Sequence, residues 1–175
     1  MDYAIIMCFD EDTEAYFNDI IRAISESGAS AYMTDVKIPP HITVAYFRAD
    51  KIEPIINELD EKISAFKEGE IKWVSLGAFV PNVLFAAPVM SEYLLNACAE
   101  MNRLIEPFST PGDDGNYLPY NWVPHTSLAV RLDKEGLNKA FDMASQKFTP
   151  IKGKSRRLLL AECNPYREIK AWSLK

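Results

Sequence analysis

The apolar residues of this chain switch between a strand-like and a helix-like period, and they do so twice in the same order. Tyr3 to Phe9 is a short apolar run of strand length. Asp12 and Thr13 then offer a helix cap, with Phe17, Ile20, Ile21 and Ile24 at helical spacing up to Gly28. After a polar link, Pro39-Pro40 opens a second strand, His41 to Phe47. A helix follows, carrying Ile52, Ile55, Ile56, Leu59 and Ile63, and then a strand from Ile71 to Phe79 that ends at the turn signal Pro81-Asn82. From Val83 the order repeats. A strand to Val89 precedes a helix with Leu94, Leu95, Cys98, Met101 and Ile105, then a strand from His125 to Arg131. A helix with Leu137, Phe141, Ala144 and Phe148 and a strand from Leu158 to Cys163 come next. A hairpin through Asn164-Pro165 leads into Ile169 to Leu174.

The expected fold class is therefore α+β, built as a duplicated unit in which a histidine begins the second strand of each half. At 175 residues the chain suits one unit spanning residues 1–175, with a composition that is ordinary for a packed globular protein. A net charge of −6, with no run of five or more basic residues, argues against a surface that grips long duplex nucleic acid. The first apolar stretch is too short and too early for a signal peptide or a membrane span, so the expectation is a cytoplasmic protein. Cys8, Cys98 and Cys163 are odd in number and each sits in an apolar stretch, which fits small buried side chains better than a disulfide framework or a zinc site. Nothing in the sequence marks a dimer surface, so a monomer is expected.

The only two histidines lie in matching contexts, Pro40-His41-Ile42-Thr43-Val44-Ala45 and Pro124-His125-Thr126-Ser127-Leu128-Ala129. Strand alternation puts His41 with Thr43, and His125 with Ser127, on one face at roughly 6.5–7 Å. An imidazole and a hydroxyl at that spacing can border one phosphoryl group, the hydroxyl donating to a non-bridging oxygen. Histidine suits proton transfer at such a group because its pKa of about 6.5 lets one ring accept a proton while another donates one. One such histidine alone would read as an ordinary strand-end residue; the matched pair does not. Neither motif has a second histidine at i+2 or i+4, and no Cys or Asp/Glu cluster accompanies them, so metal ligation is not expected.

Through His41-Ile-Thr43-Val44 and His125-Thr-Ser127-Leu128 the chain resembles the 2H phosphoesterase superfamily, which includes the bacterial 2′,5′ RNA ligase-like proteins and cyclic nucleotide phosphodiesterases. The resemblance implies two pseudo-symmetric α+β lobes, with antiparallel-rich sheets enclosing a central cleft. It also implies metal-independent and cofactor-independent chemistry on a small nucleotide or an RNA end. The reaction would be hydrolysis of a 2′,3′- or 1″,2″-cyclic phosphate, or making and breaking of a 2′,5′ phosphodiester, with His41 and His125 catalytic. Ser127 replaces the more usual threonine and keeps the hydroxyl. A nucleotide- or RNA-end-binding module with little turnover is the alternative from another class.

Other residues are candidates by position. Arg131 shares the face of His125 and Ser127 if that strand runs straight, which would make it a rim phosphate contact. Arg48 has the wrong strand parity, Lys37 is a lone lysine near a motif, and at most one of Arg156 and Arg157 can face the cleft. The segment Pro107 to Trp122 is a long loop just before the second motif, suited to a lid. In it Tyr120 or Trp122 could stack a base or sugar, while Trp122 is equally suited to the core.

Overall fold

The computed structural model describes all 175 residues. Strand β1, Asp2–Phe9, alternates strictly: Tyr3, Ile5, Met7 and Phe9 enter the main core, while Ala4, Ile6 and Cys8 face the other way with Leu159 and Ala161. Helix α1, Glu11–Glu26, buries Phe17, Ile20, Ile21 and Ile24. Its cap is Asp10 rather than Asp12 or Thr13. The Asp10 carboxylate accepts from the Thr13 N–H at 3.0 Å, which starts the helix at Glu11, two residues earlier than a cap at Asp12 would. The polar link contains a short helix that the sequence reading passed over, α2, Tyr32–Val36, anchored by buried Met33.

Strand β2, His41–Arg48, leads through α3, Glu53–Lys62, to β3, Glu70–Phe79. The second half runs β4, Val83–Pro88; α4, Glu92–Ile105; the two-residue strand β5, Thr110–Pro111; β6, Thr126–Ala129; α5, Lys134–Lys147; and finally β7, Ile151–Cys163, with β8, Tyr166–Ser173. Helix α5 buries Ala140 and Ala144 and leaves Phe141 exposed, and α4 likewise exposes Leu95, so each apolar stripe is narrower than expected. Strand β7 begins seven residues before the expected Leu158. Its inward positions there are Gly153, packed so close that an added Cβ would lie 2.0 Å from the Thr13 hydroxyl, and Ser155, bonded to the Gly69 N–H. Small and polar inward residues hide such a strand from a reading based on apolar period.

All strand pairs are antiparallel and join into one sheet ordered β5-β2-β1-β7-β3-β4-β6, with β8 on β7. Each histidine-bearing strand pairs with the first strand of its own half, β2 with β1 and β6 with β4. The third strands cross over: β3 of the first half pairs with β4, and β7 of the second half pairs with β1. The two halves thus repeat one element order while building each other's sheets. Both pack on a single core cluster of 37 buried residues, and the helices cover that face.

Candidate active site

His41 and Thr43 point away from the main core because Ile42 and Val44 fill it; His125 and Ser127 do the same opposite Thr126 and Leu128. Burial follows one pattern in both motifs. The histidine is half-buried, the next residue buried, the hydroxyl residue half-buried and the two after it buried. Buried Thr126 has its own partner, accepting from the Trp73 indole N–H at 3.0 Å.

The imidazoles are held alike. His41 Nδ1 lies 2.7 Å from the Pro39 carbonyl oxygen and His125 Nδ1 lies 2.8 Å from that of Val123, in each case two residues back. A carbonyl only accepts, so each Nδ1 carries the proton and donates it, and each Nε2 is left free for substrate. Burial lowers both pKa values. His41 is pushed down to about 4, with the nearby charge of His125 adding to the effect and the Pro39 bond opposing it. His125 is lowered by burial, against the Val123 bond.

His125 and Ser127 line a cavity of about 560 Å³ together with Phe79, Val83, Val130 and the loop residues Asp113, Asn116, Tyr117, Asn121, Trp122 and Val123. His41 and Thr43 are not in that lining; the charge of His125 reaches His41 on β2, and the Thr43 carbonyl is bonded by Trp122 of the lining. Three aromatic rings surround His125. Phe79 meets it edge-on at 4.9 Å, Phe85 lies at 5.3 Å and Tyr117 at 6.4 Å. Phe85 folds over Gly77, where an added Cβ would sit 2.5 Å from the ring. Tyr117 also stacks on Tyr46 at 5.6 Å.

The remaining candidates scatter. Strand β6 ends at Ala129, so the straight-strand condition for Arg131 fails; its φ is +58° and its guanidinium lies 3.9 Å over the Tyr32 ring, outside the cavity lining. Tyr120 is fully exposed and also lies outside the lining. Trp122 lines the cavity but is only 5% exposed, with its indole N–H donated to the Thr43 carbonyl at 3.0 Å. Arg48 pairs with Asp2, Lys37 is exposed, and Arg156 pairs with Glu68. Arg157 is the arginine on the face of His41: it sits opposite Cys8, which sits opposite His41, and it pairs with Glu14 at 3.0 Å. The Cys8 thiol between them is pushed up to about 12 by burial, so it stays protonated.

Sequence reasoning missed Phe79, Phe85 and Asn116; of its two ring candidates, Trp122 lines the cavity and Tyr120 does not, while Tyr117 does. Only the register of β3 on β4, which no local pattern carries, would have exposed Phe79 and Phe85. No three His, Cys, Asp or Glu side chains converge as a metal ligand set, and no helix is long and apolar enough to cross a membrane.

Solved structures of similar fold extend over nearly the whole chain. The TT0787 protein of Thermus thermophilus is 17% identical, with 99% of this chain and 98% of that chain covered at a TM-score of 0.62. E. coli LigT complexed with 3′-AMP is 11% identical, with 99% and 97% covered at 0.57. Usb1 of Kluyveromyces marxianus is 8% identical, with 95% and 96% covered at 0.52. No curated protein sequence matches the chain. The family model of the 2′-5′ RNA ligase superfamily matches residues 13–164, and the chain belongs to that superfamily.

Proposed function

We propose that the protein is a metal-independent phosphodiesterase in which His41 and His125 are the acid/base pair. Its substrate is a small cyclic phosphate, 2′,3′- or 1″,2″-, or a 2′,5′-linked RNA or nucleotide end. The observation that carries this reading is the matched tethering of the two imidazoles, each with Nδ1 on a carbonyl and Nε2 free. One Nε2 takes a proton from water as its oxygen bonds to phosphorus. The other ring, protonated, gives its proton to the leaving oxygen as the P–O bond breaks. Thr43 and Ser127 donate to the non-bridging oxygens as charge develops there. The pseudo-symmetry leaves either histidine able to take either role, and the roles exchange between cleavage and ligation.

The cavity lining contains no lysine or arginine and one acid, Asp113. Phe79 and Tyr117 supply the aromatic faces for a base or sugar, a nucleotide preference that accords with the 3′-AMP and uridine monophosphate named with LigT and Usb1. Arg131, whose guanidinium sits over the Tyr32 ring, and Tyr120, whose ring is fully exposed, have no part in this proposal. We picture a monomer working in the cytoplasm.

One observation favours a second reading, a nucleotide-binding module with little turnover. Burial holds both imidazoles toward their neutral form, which leaves the pair short of a proton donor. A panel of 2′,3′-cyclic nucleotides, ADP-ribose 1″,2″-cyclic phosphate and 2′,5′-linked dinucleotides, followed by phosphorus NMR in EDTA, separates the two. Turnover of one class is expected. Saturable nucleotide binding by folded protein with no turnover of any would replace the enzyme with the binding module.

A further inference from the structure

Strand β2 is incompletely paired on both edges. Along β1, Ile5 faces Ala45 and Ile6 faces Thr43, so Val44 is an extra residue with no partner. On the outer edge only Phe47 and Arg48 have strand partners, in β5, and the Tyr46 carbonyl accepts from the Gly112 N–H at 3.1 Å. Beyond that point side chains replace the missing strand. Asn102 Nδ2, from α4, shares its two N–H groups among the carbonyls of Cys98 at 2.9 Å, Tyr117 at 3.0 Å and Val44 at 3.2 Å. Trp122 Nε1 donates to the Thr43 carbonyl at 3.0 Å.

The segment from Thr110 to Trp122 therefore runs along β2 from Arg48 back to Thr43, and the next three residues deliver His125. Thr43 is two residues after His41, and Trp122 three before His125, so one hydrogen bond ties strand β2 to the segment that leads into β6. The Trp122 ring is buried, so neither its N–H nor the carbonyl it reaches has water as a ready substitute.

We infer that the Trp122 indole N–H, supported by Asn102, is a positioning group that sets how far apart His41 and His125 stand and how they face. Trp122 touches no reacting atom in this role; it acts through the Thr43 backbone. The activity arm of the test rests on the two-histidine reading above, and the titration arm does not.

The test is Trp122→Phe, which keeps an aromatic ring and removes the donor. With a 2′,3′-cyclic nucleotide, kcat should fall about 10- to 100-fold while KM stays within about threefold, as expected when catalytic groups shift by an ångström or so. The chain has only two histidines, so their imidazole NMR signals can be titrated one by one. In the wild-type background His125→Ala should raise the His41 midpoint by removing a neighbouring charge. In the Trp122→Phe background that rise should shrink by at least half.

Folded Trp122→Phe protein that keeps both kcat and the full His41 response would overturn the inference. If wild type turns over no substrate, the titration arm decides alone: a reduced response supports the positioning role and an unchanged one overturns it. If Trp122→Phe fails to fold, Asn102→Ala goes through the same two measurements with the same criteria.

Discussion

At the residue scale, burial holds two imidazoles toward their neutral form and a carbonyl tether orients each. Catalysis needs the pair singly protonated, a form that exists between the two macroscopic pKa values of the pair. With both values below the ordinary 6.5 and His41 near 4, that window opens near pH 4 and closes below pH 6.5. Cys8 on β1 and Tyr117 on the loop, both pushed up to about 12 by burial, stay protonated across that range. The profile of kcat/KM should therefore be bell-shaped with its optimum on the acid side of 6.5, falling tenfold per unit on the alkaline limb. The alkaline limb of kcat should lie higher, because a bound phosphate anion favours the imidazolium. An alkaline limb of kcat/KM above pH 7.5 would contradict the buried, neutral pair.

The site was partly legible in single residues. His41, Thr43, His125 and Ser127 share one local pattern, and the structure gives both motifs the same burial and the same tether. Tyr117 was not separable from Tyr120. A turn places one ring in the cavity and the other in solvent, and that turn has no period to read. Asn102 left a faint signal, an amide one turn after Cys98 on the inner side of α4, where a polar side chain needs backbone partners.

At the element scale the strands that build the cleft are fixed by close packing as much as by alternation. Gly77 on β3 lies under the Phe85 ring of β4, and Phe85 lies against His125. A methyl group there must drive the ring toward the histidine. Gly77→Ala should cost about 1–3 kcal/mol of stability as overpacking and should shift the His125 imidazole signals in NMR while leaving those of His41 nearly in place. Unfolding scans and one titration check it; an unperturbed His125 would mean that Phe85 has room to move elsewhere. Most elements were visible in the sequence because their apolar stripes are regular. The first part of β7 was not, because Gly153 and Ser155 occupy its inner positions.

At the scale of the whole molecule the halves repeat one order yet exchange their third strands, and this no local pattern reveals. Because β1 takes its neighbour from residues 155–162 and β4 takes its neighbour from residues 73–79, neither half holds a complete sheet by itself. We expect one cooperative unfolding transition by circular dichroism and by tryptophan fluorescence, with coincident midpoints. We also expect residues 1–80 and 81–175, made separately, to remain unfolded. A stably folded half would show that the exchanged strands are dispensable.

Two histidines, without a metal, are proposed to carry out the phosphodiester chemistry. Its most direct measurement is turnover of the best substrate of the panel by EDTA-treated protein, with wild type beside His41→Ala and His125→Ala, followed by phosphorus NMR. Full activity is expected in wild type, and about a thousandfold loss in each folded variant. Wild-type turnover in either variant, or wild-type activity that returns only with added metal, would contradict it.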